Sequence, residues 1–435
     1  MILPGDDSVV ACAPEYDAAM ALTLPIAVDL ALCQNASTKS AWASIKLQSA
    51  ALGEARAAYL PTINGSLSRV LDHTTYPNSN FSSTTLKSNT MYGNLSWRLF
   101  DFGGRDASNR SAAALLEAAL ANHDAVLQKT LIMVIGAYSD AQSAWVTWQI
   151  RKKNEELAQQ TVQAAQRREK RGFGSQSDTL QAMTAQARAT LGKSRADGDY
   201  KKALAVLIYT TGLPANTSLF LPDDLQDTVQ HVREDLNDWL LQAQVHHPAI
   251  IAAKAQLSSA QERIKVVRSE GLPTLDLTAS LYQNGRPNQG LTPASTREAL
   301  IGIAVNIPLF DGFSNTYKVR GAQAQVEQKQ AELEDVQRQT LMEVVKSHAD
   351  AAMALNNLEA SRNLLETAQA ALQSVQRKFD VGAADILEML NSQSALLDAQ
   401  QERIRCQVDW RAARLRLLAS AGVLGRAGIA QKASR

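Results

Sequence analysis

Few residues of this 435-residue chain are of types and spacings that could do covalent chemistry. Cys12, Cys33 and Cys406 lie far apart, with no C-x-x-C and no Cys/His ligand spacing, so neither a disulfide framework nor a structural zinc site is indicated. A Cys33–Cys406 disulfide is the one pairing that two helical positions near opposite chain ends would leave open. His246-His247 precedes Pro248 with no partner ligand nearby and reads as an exposed or cap-region pair. Gly172-Phe173-Gly174 follows a long helical pattern rather than a strand and lacks the Lys-Ser/Thr ending of a phosphate loop, so it reads as a helix-end turn. No Ser/His/Asp arrangement and no carboxylate pair in a definable pocket emerges. Trp145 and Trp148, three apart on one helix face, have packing as their default role. The chain therefore reads as no enzyme and as holding no cofactor or metal. The remaining groups are carboxylates beside glycine-containing breaks: Asp178 after Gly172 and Gly174, and Asp385 and Glu388 after Gly382. Asp178 and Asp385 sit where helices start, where an acidic side chain caps free backbone N–H groups.

The elements that carry these residues occur twice. Leu60-Pro61-Thr62 recurs as Leu272-Pro273-Thr274, an offset of 212, and Leu99-Phe100-Asp101 recurs as Leu309-Phe310-Asp311, an offset of 210. Asp178, Leu180 and Gln186 match Asp385, Leu387 and Gln393 at an offset of 207. Three anchors in one order mark a duplicated unit of about 210 residues. The expected organisation is a leader or signal remnant over 1–21, a first repeat over 22–213, a linker over 214–227, a second repeat over 228–425 and a tail over 426–435. Val9-Val10-Ala11-Cys12 is similar to the end of a bacterial lipoprotein signal, which would acylate Cys12. A chance cluster of small residues, or a start assigned too late, is the competing reading.

Within each repeat a helical pattern (26–59 and 236–270) ends at Pro61 or Pro273, because proline donates no hydrogen bond and restrains the residue before it. The period then falls to two. Strands are expected at about 62–72, 90–100, 274–282 and 299–310. Leu275, Leu277, Ala279 and Leu281 share one face of the third; Ile301, Ile303, Val305, Ile307 and Leu309 share one face of the fourth; Met91, Gly93, Leu95, Trp97 and Leu99 share one face of the second. The intervening segments 74–87 and 283–296 are rich in Asn, Ser, Thr, Pro and Gly and read as exposed loops. Proline-free helical runs follow at 104–171 and 315–379, each roughly 100 Å long at 1.5 Å per residue. Shorter helices follow over 178–210 and 385–419.

With 44 basic and 43 acidic residues the net charge is +1, which gives no electrostatic footprint for nucleic acid. No apolar run approaches the roughly 18 residues of a membrane-spanning helix, so any membrane insertion must use strands. Four strands with one apolar face each cannot close a barrel, since the smallest have about eight. Several chains must contribute.

The sequence resembles the TolC-like family of outer-membrane efflux and secretion channels. The resemblance rests on the duplicated plan with Ala58-Tyr59-Leu60-Pro61-Thr62, Leu99-Phe100-Asp101-Phe102-Gly103, Ile307-Pro308-Leu309-Phe310-Asp311-Gly312 and the 381–391 run from Val381 to Asn391. It implies a mainly α fold with β: a homotrimer whose four strands per chain form a twelve-stranded barrel in the bacterial outer membrane, above a helical tunnel crossing the periplasm. It also implies a periplasmic adaptor and an inner-membrane ABC or proton-driven transporter as partners, with outer-membrane lipid around the barrel. Pro61, Phe100, Asp101, Pro273, Phe310 and Asp311 then mark helix–strand junctions, and Gly172, Gly174 and Gly382 the periplasmic tip, where the family closes its channel. A carboxylate near a three-fold axis becomes a ring of three charges, which favours cations. Glu388 stands where the family often has such a group, with Asp385 and Asp178 as further candidates. The sequence departs from the pattern at Asn391, where some members have a second carboxylate, and at Ala384, where some have arginine. Leu32-Cys33-Gln34-Asn35 and Ala41-Trp42 look similar to members serving type I protein secretion, with drug, dye or metal efflux as the alternative cargo. The rivals from other classes are a soluble elongated coiled-coil scaffold and a periplasmic enzyme.

Overall fold

The computed structural model describes residues 21–75, 77, 83–222, 235–284 and 296–424. The order α–α–β–β–α–α occurs twice: α1 (Leu24–Gln34), α2 (Ala36–Ala57), β1 (Thr62–Thr74), β2 (Thr84–Phe100), α3 (Gly104–Lys170) and α4 (Gln176–Thr211), then α5 (Leu236–His246), α6 (Pro248–Ser269), β3 (Thr274–Asn284), β4 (Thr296–Asn306), α7 (Ser314–Asp380) and α8 (Ile386–Ser420). Among the described residues no helix is long and apolar enough to cross a membrane. Cys12, the lipidation candidate, and the tail lie outside the described residues.

The single helical stretches expected before each sheet segment are both broken. Asn35 adopts extended backbone between α1 and α2; its Oδ1 accepts from Ser37 N at 2.8 Å and its Nδ2 donates to Thr210 O at 3.2 Å. The side chain thus replaces the helical hydrogen bonds lost at the break. His247 is the matching break, extended because Pro248 follows it. Ala249 N donates to His247 Nδ1 at 3.3 Å, and burial pushes the His247 pKa down.

The strands also run beyond the apolar alternation. β2 starts at Thr84 rather than near 90, and β1 and β3 end at Thr74 and Asn284 rather than at 72 and 282. β4 starts at Thr296 rather than 299 and ends at Asn306 rather than 310. Pro308, which has no N–H for a ladder, lies just beyond that end.

The chain forms two compact units. One comprises Ser44–Leu120 and Ala252–Glu334 and holds the sheet, an antiparallel meander in the order β1-β2-β3-β4. Its register aligns the apolar positions. Ile63 pairs with Leu95, Leu95 with Ala279 and Ala279 with Ile301; Trp97 pairs with Leu277 and Leu277 with Ile303. Alternate rows are polar: Asn64, Asn94 and Ser280 in one, Ser96 and Thr278 in the next. Over these rows one sheet face is greasy across all four strands and the other mainly polar, with Leu300 the apolar member of the Ser280 row; toward the far strand ends the greasy face gives way to Gln283 and Arg297. The greasy face is bare, with Ile301 80% and Ile303 66% exposed.

The other unit comprises the chain up to Ala43, Ala121–Ile251 and the chain from Asp335 on. Among the described residues its core falls into three clusters. Leu127, Leu131 and Val134 of α3 pack with Val28 and Leu32 of α1 and Leu207 of α4. Trp239 of α5 packs with Val344 and Leu358 of α7 and Trp410 and Leu417 of α8. Val162 and Ala165 of α3, Ala182 of α4, Val375 and Phe379 of α7 and Met389 of α8 form the third. Trp145 stacks on Trp148 with ring centroids 5.1 Å apart and meets Tyr200 of α4 at the same distance. Cys406 is a buried free thiol, so the Cys33–Cys406 bridge is not formed.

Candidate functional site

Two helix-end turns, α3 to α4 and α7 to α8, share one backbone solution. Gly172 and Gly382 have φ of 74° and 81°, the left-handed region that glycine enters without Cβ strain. Each α-helix end is closed by paired hydrogen bonds. Phe173 N donates to Arg168 O at 2.9 Å and Gly172 N to Glu169 O at 2.9 Å; Ala383 N donates to Lys378 O at 2.8 Å and Gly382 N to Phe379 O at 3.1 Å. Gly174 has a different reason for lacking a side chain: a Cβ there would stand 3.2 Å from Arg168 Cβ and 3.3 Å from Glu169 N.

The helices that leave these turns are capped by the acidic residues. Ser175 is the N-cap of α4: Asp178 N donates to Ser175 Oγ at 3.2 Å, and Ser175 N donates to Asp178 Oδ2 at 3.0 Å. This reciprocal pair satisfies two otherwise free donors. Asp385 is the N-cap of α8, its Oδ1 accepting from Glu388 N at 2.7 Å. The turns therefore align at an offset of 210, Gly172 with Gly382 and Ser175 with Asp385. Asp178 is the counterpart of Glu388, and the offset of 207 that pairs it with Asp385 is corrected by three residues. The two first-turn carboxylates differ in one respect. Asp178 is tied to its own cap, whereas Glu388 is exposed and its carboxylate bonds to none of the described residues.

Asp178, Asp385, Glu388, Gly174 and Gly382 line one cleft of about 450 Å³ together with Arg168 and Phe379. The sequence reading missed Arg168. Its Nη1 donates to Phe379 O at 3.2 Å, and its guanidinium lies 4.6 Å from the centroid of the Phe379 ring. This one side chain joins the end of α3 to the end of α7. Farther along α3 and α4, away from the cleft, Lys193 Nζ donates to Glu155 Oε2 at 2.6 Å, and this bond, with one from Thr190, holds the Glu155 carboxyl below the usual range. Among the described residues no group of His, Cys, Asp and Glu could hold a metal ion. The cleft offers charge and backbone polarity, not a reacting centre.

The expected junction residues fall in the sheet-bearing unit. Pro61 and Pro273 immediately precede β1 and β3, and Phe100 is the last residue of β2. Asp101 Oδ2 accepts from Arg105 N at 2.9 Å and Asp311 Oδ2 from Asn315 N at 2.7 Å, so each aspartate caps the long helix that follows. Phe310 lies past the end of β4, in the turn before α7.

A duplicated helix-and-strand chain with a bare one-sided sheet and long helices defines a class of outer-membrane channel proteins. The outer membrane efflux protein family model matches residues 27–213 and 239–423, and the chain belongs to that family. Protein CyaE of Bordetella pertussis is 36% identical over 419 residues, covering 96% of this chain and 88% of that protein. Outer membrane efflux protein BepC of Brucella suis is 28% identical over 409 residues, covering 93% and 86%. The crystal structure of the outer membrane protein VceC from Vibrio cholerae superposes with a TM-score of 0.80 at 17% identity, covering 92% of this chain and 96% of that one. The chain is an outer-membrane channel of the efflux and secretion type, located in the bacterial outer membrane. The elongated-scaffold reading falls away.

Proposed function

We propose that this channel is a passive, non-enzymatic exit duct, a homotrimer joined to a periplasmic adaptor and an energised inner-membrane ABC or proton-driven transporter. The observation that carries the reading is the sheet: four strands with the outer edges of β1 and β4 unpaired among the described residues, and one face apolar in the rows from Ile63 to Ile301 and from Trp97 to Ile303. Lipid cannot satisfy free backbone groups, so such edges must close on other copies. Three copies of four strands give a twelve-stranded barrel, with the Asn94, Ser96, Thr278 and Ser280 face lining a wet pore. The detergent-extracted protein should migrate as a trimer when unboiled and as a 47.1 kDa chain after boiling. A species that is monomeric before heating would sink the reading.

The α3–α4 and α7–α8 turns are the periplasmic gate region on this reading, and opening is an outward motion of helix pairs. Glu388 is its charge ring, because Asp178 and Asp385 are already engaged in capping. Glu388→Ala should lower the cation-to-anion permeability ratio, read from reversal potentials in a salt gradient, by about twofold or more, as expected for loss of a selectivity ring. An unchanged ratio would remove Glu388 from the gate. Cargo is assigned to secreted polypeptide on the Leu32–Asn35 and Ala41–Trp42 resemblance. Deleting the chain should abolish export of a partner polypeptide; altered drug, dye or metal tolerance with export intact would assign it to efflux instead.

A further inference from the structure

The greasy sheet face changes character toward one end. Helices α2, α3, α6 and α7 all join the sheet at its other end. Away from them the alternation that starts at Ile63, Leu95 and Ile301 leads on β1 to Leu67, Arg69 and Leu71, on β2 to Met91, Asn89 and Lys87, and on β4 to Ala299 and Arg297. Arg69, Lys87 and Arg297 therefore share one face, and these greasy-face rows contain no Asp or Glu. Glu298, beside Arg297, takes the opposite face in the row of Tyr92 and Tyr282. All three basic side chains are exposed, and none has an ion-pair or side-chain hydrogen-bond partner among the described residues.

The three cations are interleaved with apolar side chains rather than set beyond them. Leu71, 64% exposed, lies farther out than Arg69 and pairs with Lys87; Leu67, 77% exposed, belongs to the row of Arg297. Where such a face meets lipid, a cation at the edge of the hydrocarbon is costly until an anion reaches it. Arg69 and Arg297 also lie on the two edge strands. Closing β1 of one copy on β4 of the next brings them to one seam, where like charges destabilise the pairing unless an anion lies between them.

We propose that Arg69, Lys87 and Arg297 form, at each seam between copies, a binding site for the phosphate groups of the acylated glycolipid of the outer leaflet, lipopolysaccharide. The helices mark the periplasmic end of the sheet, so this cluster stands at the outer leaflet. Guanidinium forks suit phosphate oxygens, and a lipid with two phosphates answers three cations where a phospholipid brings one. A cavity of about 770 Å³, lined in part by Gly65, Leu67, Met91, Gly93 and Arg297, gives an acyl chain a place beside them.

The inference rests on the barrel reading, and its test keeps the two apart. The trimer is purified in detergent, stripped of lipid and titrated with bisphosphorylated lipid A, and native mass spectrometry counts the molecules retained. One per seam is expected. In the Arg69→Ala/Arg297→Ala variant, half-saturation should need about tenfold more lipid A, the scale of one lost charge-assisted hydrogen bond. The unsubstituted trimer should also bind phosphate-free lipid A about tenfold more weakly, a comparison that holds even if the variant does not assemble. Equal retention in either comparison, or phosphatidylglycerol or inorganic phosphate bound as tightly as lipid A, would overturn the site and leave the barrel standing. A chain that is monomeric before heating would overturn both.

Discussion

Ile301→Arg is expected to abolish the outer-membrane trimer, while Gly302→Arg, one residue away, leaves it assembled. Ile301 lies at the middle of β4 in the row Ile63, Leu95, Ala279, Ile301, and is 80% exposed on the greasy face. Placing a guanidinium there in hydrocarbon costs about 2–4 kcal/mol at the bilayer midplane. A homotrimer incurs that cost three times. Gly302 pairs with Thr278 on the hydrophilic face, and a Cβ there meets nothing within 4 Å. Its arginine has water to enter, and relief of glycine's backbone freedom favours the strand slightly. The unboiled gel band and the yield in the membrane fraction report assembly, and single-channel conductance reports the pore. Gly302→Arg should lower cation conductance without lowering yield. Equal yields for the two variants would mean that the two faces of β4 do not meet different solvents, and the barrel would fall with that result.

This contrast was legible before any coordinates because strand side chains alternate strictly, so Ile301 and Ile303 against Gly302 and Ala304 already state two solvents. The proline stops at Pro61 and Pro273 were legible for a similarly local reason. Less legible were features set by the backbone ladder alone. Thr84, Thr85, Lys87, Ser88 and Asn89 show no apolar alternation, yet they pair in register with β1 from Arg69 to Thr74; a ladder needs only N–H and C=O groups, and polar side chains suit a strand end that leaves the greasy zone. The break at Asn35 was hidden because one asparagine in an Ala/Ser/Leu run carries no period, and its effect comes from a side-chain oxygen that caps Ser37 N.

At the cleft, sequence singled out the carboxylates but misaligned the repeats. Asp-x-Leu recurs at 178 and 385, whereas the left-handed glycines and the N-caps fix the three-residue correction. Arg168 was indistinguishable within Arg167-Arg168-Glu169-Lys170-Arg171. Only packing decides which of those cations lies over Phe379.

Replacing Arg105 with alanine should cost about 3 kcal/mol per chain, in the range for breaking a mostly buried charge pair. Beyond Ser96, β2 has no partner on β1, and Leu99 has none on β3 because of the bulge. Their carbonyls would be left open to the junction. Arg105 takes them: Nη1 donates to Arg98 O at 2.7 Å and Nη2 to Leu99 O at 3.2 Å, while Nε donates to Asp101 Oδ2 at 3.0 Å. The guanidinium also lies 5.0 Å from the Tyr59 ring centroid, and Trp97 Nε1 donates to Tyr59 O at 2.8 Å. One side chain thus fastens the segment after α2, the end of β2 and the start of α3. The second repeat has Asn315 at the equivalent place, with a buried Oδ1 that finds no partner among the described residues, so Asn315→Ala removes little. The temperature at which the unboiled trimer band disappears should fall by about 10 °C for Arg105→Ala, on the usual scaling of a few degrees per kcal/mol, and by far less for Asn315→Ala. Arg105→Lys should recover only part of the loss, because an ammonium keeps the charge but not the planar fork that reaches two carbonyls and a carboxylate at once. Full recovery by lysine would show that charge alone, rather than this geometry, holds the junction.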